Sequence, residues 1–308
     1  MLTTVPAANA SEDCTYDGYL ACRVDLHSVR QGTAAETAPP ALIAGHLHPR
    51  SRRLAERQTA VSELDPLMVA AADGRDLLAV AQSDWSRPVQ DCPGWNAADL
   101  TGHMGAILGW IAKIVTSGQA VPRRDRETPP ADRDALAAWY EAHLDRTLTI
   151  LTATPPGSRT WTFSSRGDQR VSWWRRRLAV ELAIHRWDAQ RAASLGTRSL
   201  PAPLDGHVAA AGIEEFLTEF LPGLLSQPDI VGLTGSLHLH ATDGASEWWI
   251  DLDERAGVVA VPGHRKADTA IRANRSDLLL WLTNRQQPGA LEISGPPEVA
   301  ARWTQLRR

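Results

Sequence analysis

Cysteine is scarce, with three in 308 residues at positions 14, 22 and 92, and no paired spacing among them. That excludes a disulfide framework and a zinc ribbon, so any metal must be held by histidine and carboxylate. A surplus of one charge is missing too: 32 Lys+Arg stand against 36 Asp+Glu, too near neutrality for an electrostatic nucleic-acid binder. No stretch approaches the ~18 uninterrupted apolar residues of a membrane span. Met1 to Ala10 lacks the basic flank and apolar run of a secretory signal. A soluble, enzyme-sized cytoplasmic protein without nucleic-acid or membrane partners is therefore expected. Phe and Tyr are sparse at three each, whereas 12 Trp supply bulky indoles whose N–H groups need acceptors.

What is present falls into three parts. Residues 1–62 combine Pro39-Pro40 with an arginine cluster (Arg50, Arg52, Arg53, Arg57) and no sustained periodicity, which predicts a poorly structured extension. Helical spacing then begins. It predicts four long helices at about 64–83, 96–117, 131–153 and 172–195, a four-helix bundle by count, and a fifth helix at about 204–221. Asn96 is a good N-cap for the second, with Asp99 in its first turn. The bundle is expected over 63–225.

From about 230 the period shifts towards two. Leu237, Leu239 and Ala241 alternate with His238, His240 and Thr242; Trp248–Leu252 and Val258–Val261 follow after Asp243-Gly244 and Ala256-Gly257 turn signals. An antiparallel sheet is expected, then a short strand near 269–273, a helix 276–284 capped by Ser276, a strand 291–294 and a last helix. The fold class is thus α+β multidomain, a helical bundle followed by a small α+β domain over 230–308.

Chemistry concentrates on the fourth helix. A helical wheel puts Glu181, His185, Asp188 and Trp174 between two apolar flanks, with Arg175, Arg176 and Arg186 on the opposite arc where water can solvate them. A buried carboxylate and imidazole cost several kcal/mol unless compensated. Glu181 and His185, four apart, project from one face and could converge on one divalent metal. His103, among Leu100, Ile107 and Trp110 on the second helix, could add a third ligand and leave an open coordination position. A self-satisfied Glu-His pair and a hydrogen-bonded core histidine explain the same spacings. His143 lies on its own helix's apolar stripe, as a core residue or a group lining the site. Trp110 and Trp174 could wall the site or simply fill the core. His238 and His240 share a strand face and could bind a metal as a pair; without a third ligand nearby, a solvent-facing or interdomain role is the better reading.

The run Trp85, Cys92-Pro93-Gly94-Trp95, Asp99-Leu100, His103 and Trp110, followed by Trp173-Trp174, Arg177, Glu181, His185-Arg186 and Asp188-Ala189, resembles the mycothiol-dependent maleylpyruvate isomerase family of DinB-like metal-binding bundles. The resemblance covers about residues 64–308 and implies a C-terminal domain of sterol-carrier-like topology. It further implies that His103, Glu181 and His185 bind a divalent metal, normally zinc, and that mycothiol brings its thiol to the open position. Apart from the resemblance, Trp110, Trp174 and His143 are the candidates for lining a mycothiol pocket, with the core reading favoured for each. Arg285 matches the place where that family offers an arginine to substrate, and its alternative reading is a cation at a helix C-terminus.

The implied reaction is thiolate addition to an activated carbon–carbon double bond, rotation and expulsion, a cis–trans isomerisation of a small electrophile. A mycothiol S-transferase, serving detoxification or secondary metabolism, would share the activation step and keep the adduct. A non-catalytic, metal-stabilised binding or regulatory module would share the fold alone. A monomer or homodimer is expected.

Overall fold

The computed structural model describes residues 65–197, 200–225, 235–253, 257–285 and 291–305; the extension expected over 1–62 lies outside them. Four helices form the N-terminal bundle: α1 (Pro66–Ala81), α2 (Ala97–Ser117), α3 (Arg133–Ala153) and α4 (Val171–Ser194). Their starts follow from capping chemistry. Asp65 accepts from the Leu67 N–H ahead of a proline in the first turn, and Asp132 accepts from Ala135. Asn96 and Asp99 close a reciprocal capping box, each side chain accepting from the other's backbone N–H and so satisfying donors that a helix start leaves open. Along the seam of α2 and α3, glycines permit close approach. A Cβ on Gly105 would meet the Trp139 ring at 2.2 Å, and one on Gly109 would meet His143 at 2.5 Å.

α4 departs from the amphipathic pattern read in its sequence. It packs against α1, α2 and the following helix α5 (Gly206–Glu215), so little of it is left to water. Arg186, expected in solvent, is buried. It pairs with Asp73 at 2.9 Å and donates to the carbonyls of Ala202 and Pro203. Arg175 is half-buried and donates to the carbonyls of Leu151 and Thr154 at the end of α3. Of the three, Arg176 alone is exposed. A helix enclosed by neighbours has no solvent arc, so its polar residues must find partners inside. The helix expected at 204–221 is also interrupted, since a π-helical segment (Phe216–Phe220) separates α5 from α6 (Leu221–Leu225).

The C-terminal part is a five-stranded sheet with β1 (Gly235–Ala241), β2 (Glu247–Asp253), β3 (Gly257–Pro262), β4 (Thr269–Ala273) and β5 (Glu292–Ser294), together with α7 (Arg275–Leu282) and α8 (Pro297–Gln305). The strand order is β3-β2-β1-β4-β5. The hairpins β1–β2 and β2–β3 are antiparallel as expected. β4, however, pairs with β1 in parallel, so the sheet is mixed. The connection 263–268 carries the chain across two strands instead of turning back beside β3, and turn residues alone do not distinguish these outcomes. Ser276 is not the helix cap either. Asn274 caps α7 by accepting from Asp277, and the Ser276 hydroxyl accepts from the Leu204 N–H. Among the described residues no helix is long and apolar enough to cross a membrane.

Candidate functional site

Glu181, His185 and Asp188 project from the middle of α4, and α2 brings His103 to meet them. The His103 and His185 ring centroids are 5.5 Å apart, nearly edge to face. Trp110, about two helical turns past His103 on α2, and Trp174, about three turns before His185 on α4, touch in the same manner at 5.5 Å. α2 and α4 therefore run antiparallel. His185 Nε2 lies 3.5 Å from Glu181 Oε2, yet neither atom makes a hydrogen bond. Both groups are buried, whereas His103 is half-buried and stacks against Trp95 at 4.7 Å. The three side chains thus come closest to solvent beside Trp95.

Each member of the pair on α4 is held from behind. His185 Nδ1 contacts Asp188 Oδ2 at 2.9 Å, and Asp188 receives Arg285 as a fork, Nε to Oδ1 at 3.1 Å and Nη2 to Oδ2 at 3.0 Å. Such bidentate pairing is geometrically specific. Burial by itself would raise the Asp188 pKa, but the Arg285 guanidinium and the His185 ring together outweigh it and hold the carboxyl well below its ordinary range. Burial pushes the His185 pKa down against the pull of Asp188, leaving a neutral ring. With Nδ1–H directed at Asp188, the lone pair of Nε2 faces Glu181.

Glu181 Oε1 pairs with Arg177, whose Nε also reaches Glu215 Oε1 at 3.3 Å. One buried guanidinium is therefore shared by two carboxylates. Burial drives the Glu215 pKa up to about 7, only partly offset by Arg177. Glu215 was not singled out in the sequence, although its spacing from Val208 and Gly212 puts it at the edge of the buried stripe of α5.

A divalent cation fits this arrangement. Two buried ligand-type atoms face each other without hydrogen bonds, a second imidazole stands alongside, and the carboxylates around Arg177 outnumber it. His185 is oriented through its far nitrogen by a carboxylate, as metal-ligating histidines usually are. A competing set, Cys92, His185 and Asp188, has its ligand atoms within 4.8 Å of one another. It is the weaker choice, because Arg285 already occupies both oxygens of Asp188, and burial followed by the Asp188 charge holds the Cys92 thiol well above its usual pKa.

The remaining sequence candidates lie elsewhere. Trp110 Nε1 donates to the Val121 carbonyl and Trp174 Nε1 to the Trp161 carbonyl; both are buried, about two and three turns from the histidines of their own helices. His143 contacts the Trp139 carbonyl and, at 3.1 Å, Glu127 in the α2–α3 seam. Arg285 stands behind His185, buried, with Nη1 donating to the Thr283 carbonyl. A cleft of about 270 Å³ opens between bundle and sheet, lined by Ser164, Trp173, Arg177, Glu215, Trp248 and Val261 among others. Arg177 links it to Glu181, but the histidines do not line it.

Residues 67–190 match the family model of the mycothiol maleylpyruvate isomerase N-terminal domain, and residues 207–302 that of the MDMPI C-terminal domain. Together the matches span more than two thirds of the chain. It belongs to the mycothiol-dependent maleylpyruvate isomerase family. Among solved structures, the mycothiol-dependent maleylpyruvate isomerase superposes with a TM-score of 0.49 at 13% identity, over 74% of this chain and 91% of that one. A mutant of that enzyme gives 0.49 at 11% over the same shares. The sec-alkylsulfatase Pisa1 from Pseudomonas sp. gives 0.27 at 12%, over 69% and 46%. No curated protein matches. Both family domains, the helical bundle and the small mixed sheet, are thus present in one chain in the family's order.

Proposed function

We propose that this chain is a mycothiol-dependent metalloenzyme in which His103, Glu181 and His185 hold a divalent cation of the zinc class, and that it isomerises a small electrophile. The observation that carries this reading is the meeting of His103 from α2 with the buried Glu181–His185 pair of α4, where Nε2 and Oε2 face each other 3.5 Å apart without a hydrogen bond. Bound there, the cation would stabilise a thiolate near neutral pH, so that a small thiol becomes a nucleophile without a protein cysteine.

The chain's own residues do the rest. Asp188 fixes the ring plane and tautomer of His185, and Arg285 fixes Asp188, which makes Arg285 a positioning residue in this reading. Arg177 holds Glu181 by one oxygen, leaving the other directed at His185. Burial of Glu181 and His185 keeps water from their faces and strengthens every electrostatic interaction there. Trp95, beside half-buried His103, flanks the approach from solvent. Trp110 and Trp174 stiffen the antiparallel pair of helices that aligns the ligands.

The decisive test is metal analysis of purified protein joined to calorimetric titration of mycothiol, before any substrate screen. Bound divalent metal and mycothiol binding that depends on it are expected. Mycothiol binding of equal strength before and after chelation would refute the reading.

A further inference from the structure

Outside the bundle, the sheet brings together four side chains of metal-ligand type. His238 and His240 alternate along β1 and share a face, while Leu237 and Leu239 are buried on the other. The β1–β2 register sets His240 opposite Glu247. Beyond β3 the chain turns at Gly263, whose φ of 109° suits glycine, and the Gly263 N–H donates to the Glu247 carbonyl at 2.8 Å. The connection 263–268 then crosses this face towards β4. Trp249 Nε1 donates to the Lys266 carbonyl, and Asp268 accepts from the Ser236 hydroxyl at 2.8 Å. That path sets His264 beside Glu247.

The polar atoms converge on one carboxylate. His238 Nε2 lies 3.1 Å from Glu247 Oε2, His240 Nδ1 lies 2.9 Å from Oε1, and His264 Nδ1 lies 2.8 Å from Oε2. All four ligand atoms fall within 4.8 Å of one another, so small side-chain shifts would bring them onto a shared ion at the ~2.0–2.2 Å of zinc–nitrogen and zinc–oxygen bonds. Neighbouring arginines are engaged elsewhere: Arg272, opposite His240 on β4, pairs with Glu292 at 3.5 Å, and Arg265 stacks over Trp249 at 5.1 Å.

We propose that His238, His240, Glu247 and His264 form a second site for a divalent transition metal, separate from the bundle and sharing no residue with it. Three imidazoles and a carboxylate suit zinc, nickel or copper; calcium and magnesium prefer all-oxygen sets. The site is preformed on the strand side and loose on the other, because the His238 side chain is 6% exposed and that of His264 is 75% exposed. An ion there ties the connection 263–268 to the sheet and stabilises the C-terminal part by linkage. The pairing of His238 with His240 was visible in the sequence; Glu247 comes from the β1–β2 register, and His264 only from the path of the chain beyond β3.

The test uses the full-length protein, stripped with a chelator and titrated with Zn(II) by calorimetry and with Co(II) by visible absorption. In a His185→Ala background, which removes a bundle ligand, a zinc site is expected to remain. Adding His264→Ala should weaken it by more than about tenfold, and adding His240→Ala as well should abolish both the cobalt spectrum and the zinc-induced rise in Tm. Circular dichroism checks that these variants keep their helices and sheet. The same His240→Ala/His264→Ala pair in the otherwise native chain should lower zinc stoichiometry, which keeps the test valid if His185→Ala misfolds. Undiminished zinc affinity and stoichiometry after loss of both histidines would overturn the proposal. Failure of the bundle reading looks different, since His185→Ala would then leave all metal uptake in place.

Discussion

Arg285 and Asp188 lie 97 residues apart in sequence and meet in a buried fork behind His185, with contacts of 3.1 and 3.0 Å. The pair joins the residue just beyond α7 of the sheet region to the helix that carries Glu181 and His185. It ties the orientation of an imidazole in the bundle to the docking of the C-terminal part.

Arg285→Ala leaves Asp188 as a buried carboxylate without its guanidinium, a class of change that costs about 3–5 kcal/mol. Arg285→Lys keeps the charge and loses the fork, and a smaller loss is expected. Urea unfolding of both variants measures the difference. Equal stability of Arg285→Ala and the native protein would show that the pair contributes nothing.

His185→Ala is expected to lose metal from the bundle with little change in helical content, because Asp188 keeps Arg285 and no buried charge is stranded. Cys92→Ser should retain that metal. Metal analysis and far-ultraviolet circular dichroism of the two variants, each made in the His240→Ala/His264→Ala background so that the sheet histidines take up no metal, decide between the ligand sets: retention by His185→Ala contradicts both, and loss by Cys92→Ser favours the set containing the thiol.

Glu215 sets a pH dependence whose sign is opposite to that of an ordinary ion-paired acid. Its pKa rises from the 4.5 of an ordinary glutamate to about 7 in the folded chain, so between these values the folded state binds more protons than the unfolded one. Stability from this group is full below about 4.5, falls as pH rises towards 7, and is gone above it. In chelated protein, Glu215→Gln should flatten the fall in urea midpoint between pH 5 and 7. A slope identical to that of the native chain would refute this assignment.

Gly105→Ala places a methyl group against the Trp139 ring, where the Cβ position is 2.2 Å from the nearest ring carbon. Overpacking of this kind costs about 1–3 kcal/mol. The urea midpoint should fall with little change in slope. An unchanged midpoint would mean that the indole swings clear of the seam at no cost.

Helix positions were largely legible, and for a local reason. Asn96 with Asp99, and Asp132 ahead of α3, are capping signals written within four residues, so α2 and α3 begin within about two residues of the expected places. The wheel drawn for α4 correctly aligned Glu181 with His185, because spacing along one helix fixes which side chains share a face. It misplaced Arg186, since a wheel records which way a residue points and not whether a neighbour waits there. Asp73 and two carbonyls do. The sheet shows the same limit. Hairpins β1–β2 and β2–β3 follow from turn residues, whereas the parallel pairing of β4 with β1 depends on where the connection 263–268 crosses.

The amino-acid sequence alone determined the element types, the bundle-then-sheet order, and the shared face of Glu181 and His185, all of which rest on contacts within a few residues. Tertiary structure decided that His103 stands beside His185, that Arg285 turns inward to Asp188, and that His264 joins His238, His240 and Glu247. Those meetings bridge long stretches of chain, and periodicity carries no information about them. They arise when packed helices and paired strands bring distant backbone segments to one place, and the polar groups carried there must then satisfy one another or share a cation.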